Sequence, residues 1–181
     1  MTLTPSNGWT KLALHRQQAA THPLAILVWG PSDDGSSEYL CRCKIRDRLR
    51  AAGHDARFSE DLARHPTALR DPIDDETLQA ESADVIIVLY GSRGTQTEHD
   101  VILANSEIAS KAIIAIERRL KKTLVTRALA SEAWRKTSKH ARIIVYNEKQ
   151  LPDLVVDEII AMTQEIRQAV YVRGLRLGGL G

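Results

Sequence analysis

Three nearly unbroken apolar runs constrain this chain more than any other feature: Leu24–Trp29 (LAILVW), Val85–Tyr90 (VIIVLY) and Ala112–Ile116 (AIIAI). None alternates with polar residues, so each reads as a strand covered on both faces, the usual state of strands in a parallel sheet. Helical patterns separate them. Cys41, Ile45, Leu49 and Ala52 recur at helical spacing, and Gly53 stands where a helix ends on a residue free to adopt positive φ. Asp55–Phe58 is a short second strand leading into Ser59-Glu60-Asp61. Leu62–Pro72, with two prolines, reads as a loop able to cover a site, and Asp74 caps a short helix through Ser82. After the turn Gly91–Gly94 a helix is expected from Thr95 to about Ser110. A further helix over Leu124–Lys136, a fifth strand over Ile143–Tyr146 and an amphipathic helix from Pro152 to about Arg173 complete the pattern.

Strands alternating with helices predict an α/β fold with helices on both faces of a parallel sheet. Right-handed crossovers and five strands favour the flavodoxin-like, Rossmann-like order 2-1-3-4-5. The expected organisation is an N-terminal arm (1–22, with a short helix around Thr10–Ala20), one domain (23–173) and a flexible Gly-rich tail (174–181). In that strand order the switch point lies between strands 1 and 3, where open α/β sheets bind their ligands. Its loops are Gly30–Ser37 and Gly91–Glu98.

The bulk properties narrow the function classes. A net charge of +2 over 181 residues is too small to make nucleic acid or an anionic membrane the main partner. No segment approaches the roughly 20 apolar residues of a membrane span. With no apolar leader at the N-terminus, the cytoplasm is the expected compartment. Cys41 and Cys43 point about 200° apart on a helix, which suits neither a disulfide nor a shared metal site. They read as small buried side chains. His54, His65 and His99 show no metal-ligand spacing, and no metal is expected.

The loop after the third strand carries the most chemistry. Gly91-Ser92-Arg93-Gly94-Thr95-Gln96-Thr97-Glu98 combines glycines, hydroxyls and an arginine at a helix start, a suitable seat for phosphate. Beside it Glu98 has the chemistry to attack a sugar carbon with oxocarbenium character. Thr95-x-x-Glu98 is equally a capping box. In the first loop, Gly30-Pro31-Ser32-Asp33-Asp34-Gly35-Ser36-Ser37 lacks the Gly-Lys-Ser/Thr ending of a P-loop, and its two aspartates would repel phosphate. Trp29 is either a stacking platform for a base or a core tryptophan. Glu60 and Asp61 either assist an acid–base step or serve as cap and turn residues. Asp84, before the third strand, reads as a structural turn residue on its own.

Four segments together resemble the nucleoside 2-deoxyribosyltransferase-like superfamily. They are Val28-Trp29-Gly30-Pro31, Phe58-Ser59-Glu60-Asp61-Leu62, Ala83-Asp84-Val85-Ile86-Ile87-Val88, and Gly94-Thr95-x-x-Glu98 followed by Lys111-Ala112-Ile113-Ile114. The likeness covers about residues 24–117. That superfamily includes deoxynucleoside-phosphate N-glycosidases, nucleotide-cleaving effectors of bacterial antiphage systems and, more distantly, TIR-type NAD hydrolases. The resemblance implies that Glu98 is the nucleophile on the anomeric carbon. It also implies that an acidic residue at Asp84, or after the second strand at Asp61, organises the site. The transferases carry an aspartate just before the Gly-Thr pair, where this chain has Ser92-Arg93. Losing an anion and gaining a cation favours a phosphorylated substrate.

The expected function is therefore N-glycosidic cleavage of a nucleotide or of NAD, with NAD one of the candidate substrates and no cofactor expected. The expected catalytic residues are Glu98, Asp84 and Asp61, and the expected substrate contacts are Trp29, Gly30, Pro31, Gly91, Ser92, Arg93, Gly94 and Thr95. The alternative is a non-catalytic module of the same fold that senses a nucleotide and signals to a protein partner. A phospho-aspartate receiver is rejected, because Tyr90-Gly91 stands where its aspartate would end strand 3. An FMN-binding flavodoxin gains from Ser32, Ser36 and Ser37 but is opposed by Asp33 and Asp34. The apolar faces of the last helix leave two readings, packing on the sheet alone or a homodimer or larger assembly.

Overall fold

A computed structural model of the chain describes residues 7–62, 72–90, 101–102, 104–119 and 139–178. Its elements are α1 (Asn7–Thr21), β1 (Ala25–Trp29), α2 (Ser37–Ala51), β2 (Asp55–Phe58), α3 (Ser59–Leu62), α4 (Pro72–Ser82), β3 (Val85–Tyr90), α5 (Ser106–Ser110), β4 (Ala112–Glu117), β5 (Arg142–Tyr146) and α6 (Asp153–Gly178). The five strands form one sheet in the order β2-β1-β3-β4-β5, and every neighbouring pair is parallel. The fold is thus α/β and flavodoxin-like in strand order.

Side chains alternate between two cores, as the two-residue period of a strand requires. One face gathers Ile26, Val28, Ile87, Leu89, Ile113, Ala115, Ile144 and Tyr146 beneath Cys41, Ile45 and Leu49 of α2 and Val155, Val156 and Ile159 of α6. The other gathers Leu27, Trp29, Ile86, Val88, Ala112 and Ile114 against Ala80 of α4, Val101, Ile102 and Ile108. The inner strands β1, β3 and β4 are almost wholly apolar because both of their faces are covered, whereas the edge strand β2 exposes Asp55 and Arg57. β3 and β4, in the middle of the sheet, are buried at every position.

Several expected helix boundaries differ. The helix expected to be capped by Asp74 starts at Pro72, which places Asp74 in its first turn, and α1 spans Asn7–Thr21 rather than Thr10–Ala20. The helix expected to run unbroken to Ser110 is interrupted at Asn105, whose extended backbone (φ −132°, ψ 112°) ends one segment. Its side chain accepts from the amides of Glu107 and Ile108 to start α5. Asparagine favours this role because its short side chain satisfies the free amides of a helix start. At the C-terminus α6 continues past Arg173 to Gly178, through part of the expected tail. The expected helix 124–136 and the turn Gly91–Gly94 lie outside the described residues.

Candidate functional site

The chain leaves β1 through α2 on one face, while the path from β2 to β3 carries α4 on the other. This parting marks the switch point at the carboxyl ends of β1 and β3. Trp29 pairs with Val88, so β3 projects two residues beyond β1 with Leu89 and Tyr90. Gly30 has φ +156°, and a β-carbon there would stand 3.2 Å from Cδ of Arg42 and 3.3 Å from Cβ of Leu89. The close approach of strand and arginine therefore depends on glycine at this position.

Arg42 is the organising residue of this edge. Its side chain is 1% exposed. Nε and Nη2 donate to the carbonyl of Val28 at 3.2 and 2.9 Å, and Nη1 donates to that of Pro31 at 3.1 Å. The same guanidinium makes a two-pronged pair with Glu60, at 2.8 and 2.7 Å, and its carbon lies 4.0 Å from the centre of the Phe58 ring. The fork of the guanidinium suits a carboxylate and backbone carbonyls at once. Burial pushes the Glu60 carboxyl up, but the hydrogen bonds and charge of Arg42, with hydrogen bonds from the Glu60 backbone and Ser59, together outweigh it and hold the pKa below the usual value. The Glu60 side chain is 53% exposed. The edge thus presents a fixed, ionised carboxylate backed by a buried cation.

The remaining candidates separate into those near this edge and those away from it. Pro31 is buried and holds Arg42 through its carbonyl. The Trp29 ring is wholly enclosed in the second core, which is the core alternative rather than a surface on which a base can stack. Its Nε1 has no partner among the described residues. Asp34 accepts from the Ser36 amide, and hydrogen bonding to Ser36 holds its carboxyl below the usual range. Ser36 in turn accepts from the Tyr39 amide and caps α2. Asp33–Ser36 is therefore built as a turn and cap. Asp61 accepts from the Phe58 amide at 3.4 Å and lies 4.0 Å from Arg50. Glu60 and Asp61 thus pair with different arginines.

Asp84 sits at the opposite edge. Its Oδ2 accepts from the Ala25 amide at 2.9 Å and its own amide donates to the Ala25 carbonyl at 2.9 Å. It fastens the starts of β1 and β3, and six strand residues, about 20 Å, separate it from the end of β3. This duty at the amino edge fits the turn-residue reading. Gly91, Ser92, Arg93, Gly94, Thr95 and Glu98 lie outside the described residues, as do His65 and His99.

Other titratable groups have structural duties. Cys41 is fully buried, and burial pushes its thiol up to about 12, which leaves it no thiolate for nucleophilic work at neutral pH. His54 accepts from the Leu24 amide at 3.2 Å at the amino edge. Glu117 and Tyr146, paired across β4 and β5 at the carboxyl edge, are both buried. Glu117 accepts from Arg119 at 2.6 Å, while burial raises the Tyr146 phenol. No group of three or more His, Cys, Asp or Glu side chains among the described residues is placed to hold a metal ion. No helix among them is long and apolar enough to cross a membrane.

Sequence reading missed Arg42. The signal was available: Arg42, Ile45 and Leu49 fall on one stripe of α2 at i, i+3 and i+7. An arginine on an apolar stripe needs a buried acceptor set. Comparison with known proteins adds no family: no protein-family model matches the chain, and no curated protein matches it.

Proposed function

We propose that the chain is an N-glycosidase that cleaves the base–sugar bond of a nucleotide or of NAD, with Glu98 as nucleophile. The observation that carries this reading is the strand order, which makes the edge reached after Tyr90 the switch point. The sequence that follows Tyr90 is the one whose residues resemble the nucleoside 2-deoxyribosyltransferase-like superfamily. By the same resemblance the activity suits an effector of bacterial antiphage defence.

In this proposal the Glu98 carboxylate attacks the anomeric carbon, the C–N bond breaks, and the base leaves with the bonding pair and takes up a proton. Water then cleaves the glycosyl ester and restores the carboxylate. Arg93, with Ser92 and Thr95, holds the phosphate by charge and hydrogen bonds. Glu60, fixed by Arg42, offers an acceptor to the sugar hydroxyls from the neighbouring edge. Asp61 acts at most through the shape of the α3 turn. Asp84 serves the sheet and is left out of the chemistry.

Charge matching supplies the test. Arg93→Ala is expected to raise KM for a nucleotide about tenfold or more, a charge-assisted contact's worth, and to leave KM for the matching nucleoside nearly unchanged. Equal effects on both, or no base released from either by wild type, would count against the proposal.

A further inference from the structure

We infer that the chain forms a two-fold symmetric dimer through the C-terminal half of α6, with the helices crossing antiparallel at Ala169. Twenty-six residues make α6 about 39 Å long, roughly twice the length of the strands it covers. Its buried positions end at Ile166 and Arg167, and none from Gln168 to Gly174 is buried. On one side this overhang is covered by α1. The Tyr171 hydroxyl donates to Gln18 at 2.7 Å and lies 3.3 Å from His15, and Arg167 donates to the Ala20 carbonyl. Among the described residues nothing covers the other side. Glu165, Gln168, Ala169, Val172 and Arg173 line an open groove of about 510 Å³ there.

The order of charges along this groove names the occupant. Glu165, Ala169 and Arg173 fall at i, i+4 and i+8, on one ridge of the helix. An acid and a base thus stand one turn to either side of the smallest side chain on the ridge. A second copy laid antiparallel across Ala169 sets Glu165 against the partner's Arg173, and Arg173 against the partner's Glu165. The two pairs lie about 12 Å apart. Alanine at the crossing lets two helix axes approach to about 8 Å. Neither Glu165 nor Arg173 has an ion-pair partner among the described residues. A two-fold interface must be complementary to itself, and this ridge is.

The test is the mass of the full chain in solution, by sedimentation equilibrium, for wild type, Glu165→Arg, Arg173→Glu and the double exchange. All the changed residues are exposed, and circular dichroism checks that each variant keeps the wild-type fold. Wild type is expected at twice the 20.2 kDa chain mass. Each single reversal opposes like charges at both pairs and is expected to weaken the dimer about tenfold or more. The double exchange restores opposite charges and is expected to recover it. A wild-type monomer into the high micromolar range overturns the inference. So does a dimer indifferent to both reversals but broken by Trp9→Ala on α1, or a folded double exchange that stays monomeric.

Discussion

Replacing Arg42 with methionine tests whether the carboxyl edge of the sheet is held together as described. Methionine keeps much of the length and apolar stem of arginine and removes every polar bond of the head. The losses are the two-pronged pair with Glu60 and the three bonds to the carbonyls of Val28 and Pro31. Glu60 is half exposed and regains water, so its share is small. The carbonyls are covered and are left without those donors, at a cost of about 1–3 kcal/mol each. We expect a total loss of about 3–4 kcal/mol, which lowers Tm by roughly 10 °C for a domain of this size. Urea unfolding followed by circular dichroism measures it, with an unchanged denaturant slope as the sign that only stability moved. Glu60→Gln keeps one acceptor oxygen, and its expected cost is about 1 kcal/mol. Because both changes break the same pair, the double variant should lose less than the two singles together, by at least about 0.5 kcal/mol. A loss under about 0.5 kcal/mol for Arg42→Met, or strict additivity in the double variant, would refute the reasoning.

His54 gives the fold an acid-sensitive fastening. Burial first, and then the nearby Arg167, push its pKa down to about 4 from an ordinary 6.5. The unfolded chain therefore binds a proton at His54 below about pH 6.5 that the folded chain refuses until about pH 4, so this contribution is whole above that window and shrinks through it. We expect roughly 1–3 kcal/mol of stability to be lost between pH 7 and pH 4 through this group, and the pH profile of His54→Gln to be flatter by that amount. Parallel profiles would remove His54 from the account. Asp84→Ala should cost about 1–2 kcal/mol, because the Ala25 amide loses its carboxylate acceptor. Base release per folded molecule should be unchanged in that variant, and a tenfold loss would return Asp84 to the chemistry. Asn105→Ala should cost about 1 kcal/mol through the lost cap of α5, and an unchanged urea midpoint would contradict the assigned cap.

The strands were legible because burial on both faces leaves a plain mark. The VIIVLY run fixes β3 to the residue, and the runs for β1 and β4 fall within one residue of the observed ends. Strand order followed from packing rules that hold for any chain of this pattern. Helix ends were less legible. A single side-chain cap at Asn105 outweighs the helical period around it, and α6 outruns the apolar spacing of its first turns. At the carboxyl edge, the sequence marks the switch-point loops, yet Arg42 escapes notice because its acceptors, Val28 and Pro31 on one side and Glu60 on the other, come from two separate stretches of chain. Asp84 shows the converse. Its neighbourhood in sequence resembles a family motif, but its backbone partner Ala25 stands at the amino edge, 59 residues away, a contact that no local pattern shows.

The most direct test of the proposed activity compares purified wild type with Glu98→Gln, each incubated with NAD and a panel of nucleotides and nucleosides, with the free base followed by chromatography. We predict that wild type releases base from at least one phosphorylated substrate, and that Glu98→Gln still binds that substrate but releases none. Equal release by both proteins, or tight binding of a nucleotide by both with no release by either, would contradict the assignment of Glu98 as nucleophile; the second result would leave the fold as a nucleotide sensor.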